Sequence, residues 1–293
     1  MKLNKNPNLL PVFHHIAKSA GTYVLGWMFF LCRKYYSSFG CDPDCCKIIS
    51  ITLPNGKSLS ALCHISKDLN DLGDQIEIIN NASLKTNSDF FLDLLLTKEL
   101  NLFSVSVDPS SPGWSCAKNY LLQIIDILGL DHLLNFMVFR DPYDRAQSLF
   151  NYIKSDDSSH EPTHQSYTSN DFLDFICGHE IEDSWVIRNL IDLDNTQPIL
   201  PGHFTACEDA YLQYFKIKDI AYADDLINEV FYHVYGMDQN CLNRSKVLKN
   251  INKNKSSAIP KIEFDDLPKD VQQKFLDRTY WDRKLWKKYC KNV

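Results

Sequence analysis

The alternation of apolar and polar residues divides the chain into short strand-like runs and longer helical ones. "PVFHHI" (residues 11–16) is a compact apolar run that reads as a buried strand. "TYVLGWMFFLCRKYY", shortly after it, is apolar almost all round, as a helix is when other layers cover it. "KIISITLPNGKSLSALCHI" places Asn55-Gly56 between two β-rich runs and predicts a hairpin. Farther along, "SDFFLDLLLTKEL" predicts a helix, "LFSVSV" a strand, "CAKNYLLQIIDILGL" a helix ending near Gly129, and "LLNFMVF" another strand. The helix "PYDRAQSLFNYIKS" opens with Pro142 at its first position, where a missing N–H costs nothing. "SDDSSHEPTHQSYTS" (residues 155–169) is polar and turn-rich, an exposed loop able to close over a site. "SWVIRNLIDL", "CEDAYLQYF", "YADDLINEVFYHVYG" and "DVQQKFLDRTYWDRKLWKKYC" have helical periodicity, and "KVLKNINKNKSS" forms a basic loop before the last. Strands separated by helices predict an α/β fold with a central, mostly parallel sheet covered on both faces.

Composition narrows this picture. With 293 residues, 44% of them hydrophobic, the chain can bury a large core, and with no linker or repeat to divide it we expect one domain over residues 1–293. A net charge of −6 argues against broad binding to nucleic acid or a polyanionic polymer, so any anion site must be local. "YVLGWMFFLC" spans only ten residues before Arg33 and Lys34, which makes it a buried helix rather than a membrane span. The first residues lack the apolar region of a secretory signal, and the expected location is cytoplasmic. The ten Cys are scattered, without paired CxxC motifs. Cys41, Cys45 and Cys46, with Cys32 and Cys63 near in sequence, leave three readings open: unpaired thiols, a local disulfide, or a zinc site. No metal is expected.

Two segments carry candidate chemistry. "HIAKSAGTY" lies where the first strand hands over to the first helix, and a helix N-terminus exposes N–H groups that cradle anions. Lys18 adds a point charge, Gly21 permits close approach, and Ser19 and Thr22 add hydroxyls. GxxxxGK[ST] is absent, so this is not a Walker A loop. In "NFMVFRDPYDRAQSLF" a buried strand runs straight into Arg140, with Ser148 two turns into the following helix, a pair able to hold a second phosphate by charge-assisted hydrogen bonds. The alternative is that Arg140 pairs with Asp141 or Asp144 as a structural cap.

"HIAKSAGT" resembles the HIPKTGGT-type 5′-phosphosulfate loop, and "FRDPYDRAQSLF" the RDPxxRxxSxY-type 3′-phosphate motif, of sulfotransferases that use 3′-phosphoadenosine 5′-phosphosulfate (PAPS), in their carbohydrate-sulfotransferase-like branch. "SWVIRNL", "HFTACEDAYLQYF" and "LKNINKNKSS" extend the likeness more loosely over most of the chain. The resemblance implies a P-loop-like architecture, transfer of a sulfonate to a hydroxyl or amine with release of the bisphosphate PAP, and no metal. It implies that Lys18, Ser19, Ala20, Gly21, Thr22 and Tyr23 hold the 5′-phosphosulfate and that Arg140 and Ser148 hold the 3′-phosphate. Lys18 would also serve catalysis at the leaving group, while Arg145 would pair with a carboxylate inside the fold. Ala17 replaces the usual Pro, and Ser19-Ala20 replaces Thr-Gly.

The general base is less defined. His64 follows a strand, in the manner of glycan 2-O-sulfotransferases, and is the first candidate; Asp108, at another strand end, is the second. His160 and His164 lie in the loop able to close, and His15 borders the phosphate turn, where packing and loop support are its expected roles. The acidic chain favours a small metabolite or natural product as acceptor, with a saccharide as the alternative, and no nucleic-acid or membrane partner is expected. A kinase or nucleotidase using Lys18 on ATP, and a catalytically inactive nucleotide-binding protein, are the rival classes.

Overall fold

The computed structural model describes residues 8–16, 18–56, 58–66, 77–80, 83–107, 114–154, 169, 171–178, 184–193, 197–210, 212, 215–237 and 261–290. Eight strands form one sheet: β1 (Leu9–His14), β2 (Cys46–Thr52), β3 (Ser58–Ile65), β4 (Glu77–Asn80), β5 (Ser83–Asn87), β6 (Leu100–Val107), β7 (His132–Phe139) and β8 (Phe215–Asp219). Their order is β4-β5-β2-β3-β6-β1-β7-β8. β1 lies between parallel neighbours β6 and β7, β8 continues the parallel set, and β2 pairs parallel with β5. β3 runs antiparallel to both β2 and β6, and β4 antiparallel to β5. The sheet is therefore mixed but mostly parallel.

Alternation along the strands sorts their side chains onto two faces. On one face Phe13, Leu62, Phe103, Phe136 and Val138 pack under α1 (Gly21–Ser37) and α8 (Ala223–Tyr235), whose Trp27, Met28, Leu31, Leu226, Val230 and Phe231 are buried there. On the other, Leu10, Val12, Val105, Met137 and Phe139 join residues of α2 (Ser88–Leu96), α3 (Trp114–Leu128), α6 (Trp185–Ile191), α7 (Pro201–Ala210) and α10 (Tyr280–Tyr289). The apolar circumference of α1 is thus explained: it lies on the sheet and also against α8. A third aromatic cluster joins α4 (Pro142–Ile153), α5 (Phe172–Cys177) and α9 (Lys269–Arg278) through Tyr143, Phe150, Phe172, Phe175 and Phe275.

The hairpin expected at Asn55-Gly56 is present: β2 and β3 pair from Cys46↔His64 to Thr52↔Ser58, and Gly56 takes the left-handed conformation (φ 79°) that the turn needs. Three strands were not legible in the pattern. β4 and β5 are short, and β8, "FKIKD", has Lys at every second position, which disguised an edge strand as a polar connection. The C-terminal helical pattern is also two helices, α9 and α10, which meet at Thr279. No helix of the described residues is long and apolar enough to cross a membrane.

Candidate anion site at the carboxyl edge of the sheet

β1 and β7 end side by side, with His14 registered on Met137, so the residues leaving both strands emerge at one edge. From β1 the chain makes a tight turn in which the Ser19 N–H donates to the Ile16 carbonyl (3.1 Å) and the Val24 N–H to the Ala20 carbonyl (2.9 Å). Lys18 and Ala20 have φ of 63° and 62°, left-handed conformations that cost a residue with a Cβ on the order of 1–2 kcal/mol each. Ala20 stands where the resembled motif has Gly, and its backbone takes the conformation Gly would adopt without cost.

Gly21 has a different reason to be glycine. A Cβ there would lie 1.7 Å from His15 Nε2, so the imidazole occupies the space over the first residue of α1, stacked on Phe13 with ring centroids 5.9 Å apart. The close approach foreseen for an anion at Gly21 is made instead by this ring, and packing and loop support describe what His15 does.

The N-terminus of α1 carries no side-chain cap and no acidic residue in its first turn. Ser19 is fully buried, and its hydroxyl has no hydrogen-bond partner, the kind of orphan that calls for a ligand group or an ordered water. The Lys18 ammonium lies 3.6 Å from the centroid of the Tyr152 ring on α4. From the end of β7, Arg140 Nη1 donates to the Lys18 carbonyl at 3.4 Å, which brings the two segments with candidate chemistry into contact. Neither carboxylate beside Arg140 takes its charge: Asp141 accepts the N–H groups of Tyr143 (2.9 Å) and Asp144 (3.4 Å), and Asp144 faces Lys261 at 3.8 Å. Among the described residues no carboxylate pairs with Arg140, so the capping reading of this Arg does not hold. Ser148 is half-buried on α4, one turn before Tyr152 and on the same face. Thr22 is exposed in the first turn of α1, and the Tyr23 hydroxyl donates to Asp224 of α8.

Arg145 is turned into the fold. It is buried, lies over the Trp185 ring at 5.1 Å, and acts electrostatically on Asp282 of α10. Asp282 is itself buried and accepts the N–H groups of Val186 and Ile187, each at 3.0 Å, capping α6 from a distant segment. Burial pushes its carboxyl up, and Arg145, these two N–H groups and Arg188 pull it back down.

His64 is not brought to this edge. β3 runs against β6, so Leu59 registers on Val107 at the carboxyl edge and His64 on Asn101 at the other. Five residues of strand put His64 about 17 Å from that edge. It stacks at 4.8 Å on Tyr36, which lies fifteen residues and roughly 22 Å of helix from Gly21. Its ring is buried, and burial lowers its pKa; Asp42 pulls the other way without reaching hydrogen-bond geometry at either ring nitrogen. His64 is therefore not the general base of a site at the carboxyl edge: a buried ring at the opposite edge is out of reach of any group bound near Lys18.

Asp108, His160, His164, the loop over residues 155–168, Ala17 and the late basic segment lie outside the described residues. Cys32, Cys41, Cys45, Cys46 and Cys63 all carry free thiols, so the local-disulfide reading does not hold. Among the described residues no group of His, Cys, Asp and Glu is placed to hold a metal ion. No protein-family model, no curated protein and no solved structure matches the chain.

Proposed function

We propose that this chain is a PAPS-dependent sulfotransferase of P-loop-like architecture, moving a sulfonate to a hydroxyl or amine of a small metabolite and releasing PAP. The observation that carries the proposal is the contact between Arg140 and the Lys18 carbonyl. It unites two cationic segments, 122 residues apart in sequence, at an uncapped helix N-terminus with an orphaned buried hydroxyl. An anion with two separated phosphate groups fits that donor set better than a single one does.

When bound, the donor supplies an activated sulfonate on a phosphate leaving group. Lys18 places a compact positive charge where negative charge grows on that phosphate, and the N–H groups at the start of α1 face the same region. Arg140 and Ser148 hold the 3′-phosphate, and the unpartnered Ser19 hydroxyl gains an acceptor. The proton of the acceptor goes to a base at this edge. Asp108 takes that role in our proposal, because Val107, the residue before it in sequence, ends β6 beside His14. The net charge of −6 favours a neutral or cationic acceptor over a heavily anionic glycan.

Calorimetry with adenosine 3′,5′-bisphosphate tests the reading. The wild type is expected to bind it without Mg²⁺, and Lys18→Ala and Arg140→Ala each to weaken binding by roughly ten- to a hundredfold, as for a lost charge-assisted hydrogen bond. Tighter binding of ATP with Mg²⁺ would point to phosphoryl transfer instead. Mass spectrometry for an added sulfonate over a metabolite panel then separates an enzyme from a binding protein, and Asp108→Asn is expected to abolish turnover while sparing bisphosphate affinity.

A further inference from the structure

α1 and α8 lie side by side on one face of the sheet and run the same way, because β1 and β8 belong to one parallel set and each helix follows its strand at the carboxyl edge. Their levels are matched at both ends: the Tyr23 hydroxyl donates to Asp224 near the helix starts, and the Tyr35 and Tyr235 rings meet at 4.8 Å near their ends. Trp27 follows Tyr23 by four residues, and Asn228 follows Asp224 by four. One turn of helix, about 6 Å of rise, therefore brings both to the same level of the seam, each on the side that faces the other helix. Trp27 is 3% exposed and its indole Nε1–H has no hydrogen-bond partner; the Asn228 amide nitrogen is also buried without one.

We propose that the seam between α1 and α8 holds one buried water molecule, bound by the Trp27 indole N–H and the Asn228 side-chain amide. Both groups are donors, so neither satisfies the other, and an indole nitrogen has no acceptor form. A buried donor left without an acceptor is expensive enough that two at one level call for a shared guest. That guest must be an oxygen able to accept twice, and it must be uncharged. Phe30, Leu31, Ile227 and Phe231, the neighbouring residues along both helices, belong to the apolar cluster on this face, and an ion is costly to desolvate among them. Water accepts from both donors and donates its own protons to helix carbonyls, whose oxygens keep a second lone pair. The site ties the helix that begins at the anion turn to its neighbour, one turn below the contact between Tyr23 and Asp224, and it does not depend on which anion that turn takes.

Solution NMR of the ¹⁵N-labelled full chain tests this directly. Five Trp give five indole resonances, and Trp27→Phe identifies the one in question; if that variant does not fold, contacts to the Tyr23 and Phe30 rings, 6.4 and 5.7 Å away, identify it in the wild type. The expected result is an indole N–H protected from hydrogen exchange that still shows a cross-relaxation peak to water, with the sign of a long-lived bound molecule. Tyr23→Phe should keep that peak, which excludes exchange through the tyrosine hydroxyl, and Asn228→Leu, whose side chain fills the place of the guest, should abolish it. Stability gives a second reading. Asn228→Leu should raise the unfolding constant roughly five- to thirtyfold in the wild type, where it strands the indole N–H, and several-fold less in the Trp27→Phe background. A protected indole without a water peak would mean that a protein group, such as the Asn228 carbonyl after rotation of its amide, is the acceptor. A freely exchanging indole would mean that the seam is open to solvent. Either result, a peak that survives Asn228→Leu, or equal costs of Asn228→Leu in both backgrounds would overturn the proposal.

Discussion

α1 and α4 begin at the same edge of the sheet, from neighbouring strands, yet their N-termini are finished in opposite ways. α4 is sealed from within: Asp141 caps it, Pro142 fills its first position, and Asp144 adds negative charge to the first turn. α1 has no cap and no acid in its first turn, enters through a left-handed Ala20, and is preceded by Lys18. α6 resembles α4, because Asp282 supplies from α10 the acceptor that its own sequence lacks. This fold can satisfy a helix start with its own carboxylates, nearby or distant, and at α1 none of the described residues does so. Lys18 and the positive end of the α1 dipole stand together at one place, which is a condition for binding an anion.

Asp282 is where the sealed helix starts are most vulnerable. Asp282→Ala strips two N–H groups of α6 of their acceptor and removes the buried carboxylate on which Arg145 and Arg188 act. It is expected to cost about 3–5 kcal/mol in chemical denaturation, the range for breaking a buried charge network. Lys18→Ala, at the unsealed helix, should barely move the same curve while it lowers bisphosphate affinity. Equal losses of stability would mean that the two starts are not different in kind.

A pH titration gives the next largest effect. His14, the last residue of β1, is buried against the Phe215 ring, 3.1 Å from Asn135 Oδ1, and burial brings its pKa from 6.5 to about 4, with the Asn135 hydrogen bond opposing the shift. The unfolded chain therefore binds a proton between these values that the folded chain refuses. Stability from this group is complete above pH 6.5 and is lost as pH falls toward 4, by about 3 kcal/mol in all. Chemical denaturation at pH 7 and pH 4.5 should show the drop, and His14→Gln should flatten it.

Smaller changes sharpen the contrast between the two helix starts. Asp141→Ala is expected to cost about 1 kcal/mol, the usual worth of an N-cap. Ala20→Gly should do the reverse, stabilising by up to about 1 kcal/mol through relief of the left-handed strain, net of the entropy that glycine adds to the unfolded chain. Thermal unfolding of the two variants should move in opposite directions. A loss in Ala20→Gly would show that the turn gains nothing from a glycine at this position.

Much of this architecture was legible along the chain. The runs of "PVFHHI" and "LLNFMVF", the hairpin at Asn55-Gly56 and the long apolar helix all follow from local periodicity, because the sheet buries both faces and each strand must be apolar on both. The two cationic segments were legible as well, since Lys18 and Arg140 stand directly past strand ends. What escaped were features whose partners lie far away in sequence. β8 was masked by its lysines, Asp282 looked like one more polar residue of an amphipathic helix, and nothing near Tyr152 marked it as a neighbour of Lys18.

His64 shows the limit most plainly. A histidine after a strand is the same local pattern whichever way the strand runs, and direction is set by pairing with β2 and β6, not by composition. The sequence by itself determined which residues form strands and helices and which carry charge, because those choices rest on side-chain periodicity within a few residues. Only the tertiary structure decided which ends of the elements share an edge, which helix starts are sealed, and that Gly21 yields its space to His15. Each of those depends on strand order, strand direction and contacts across the sheet, which no local window contains.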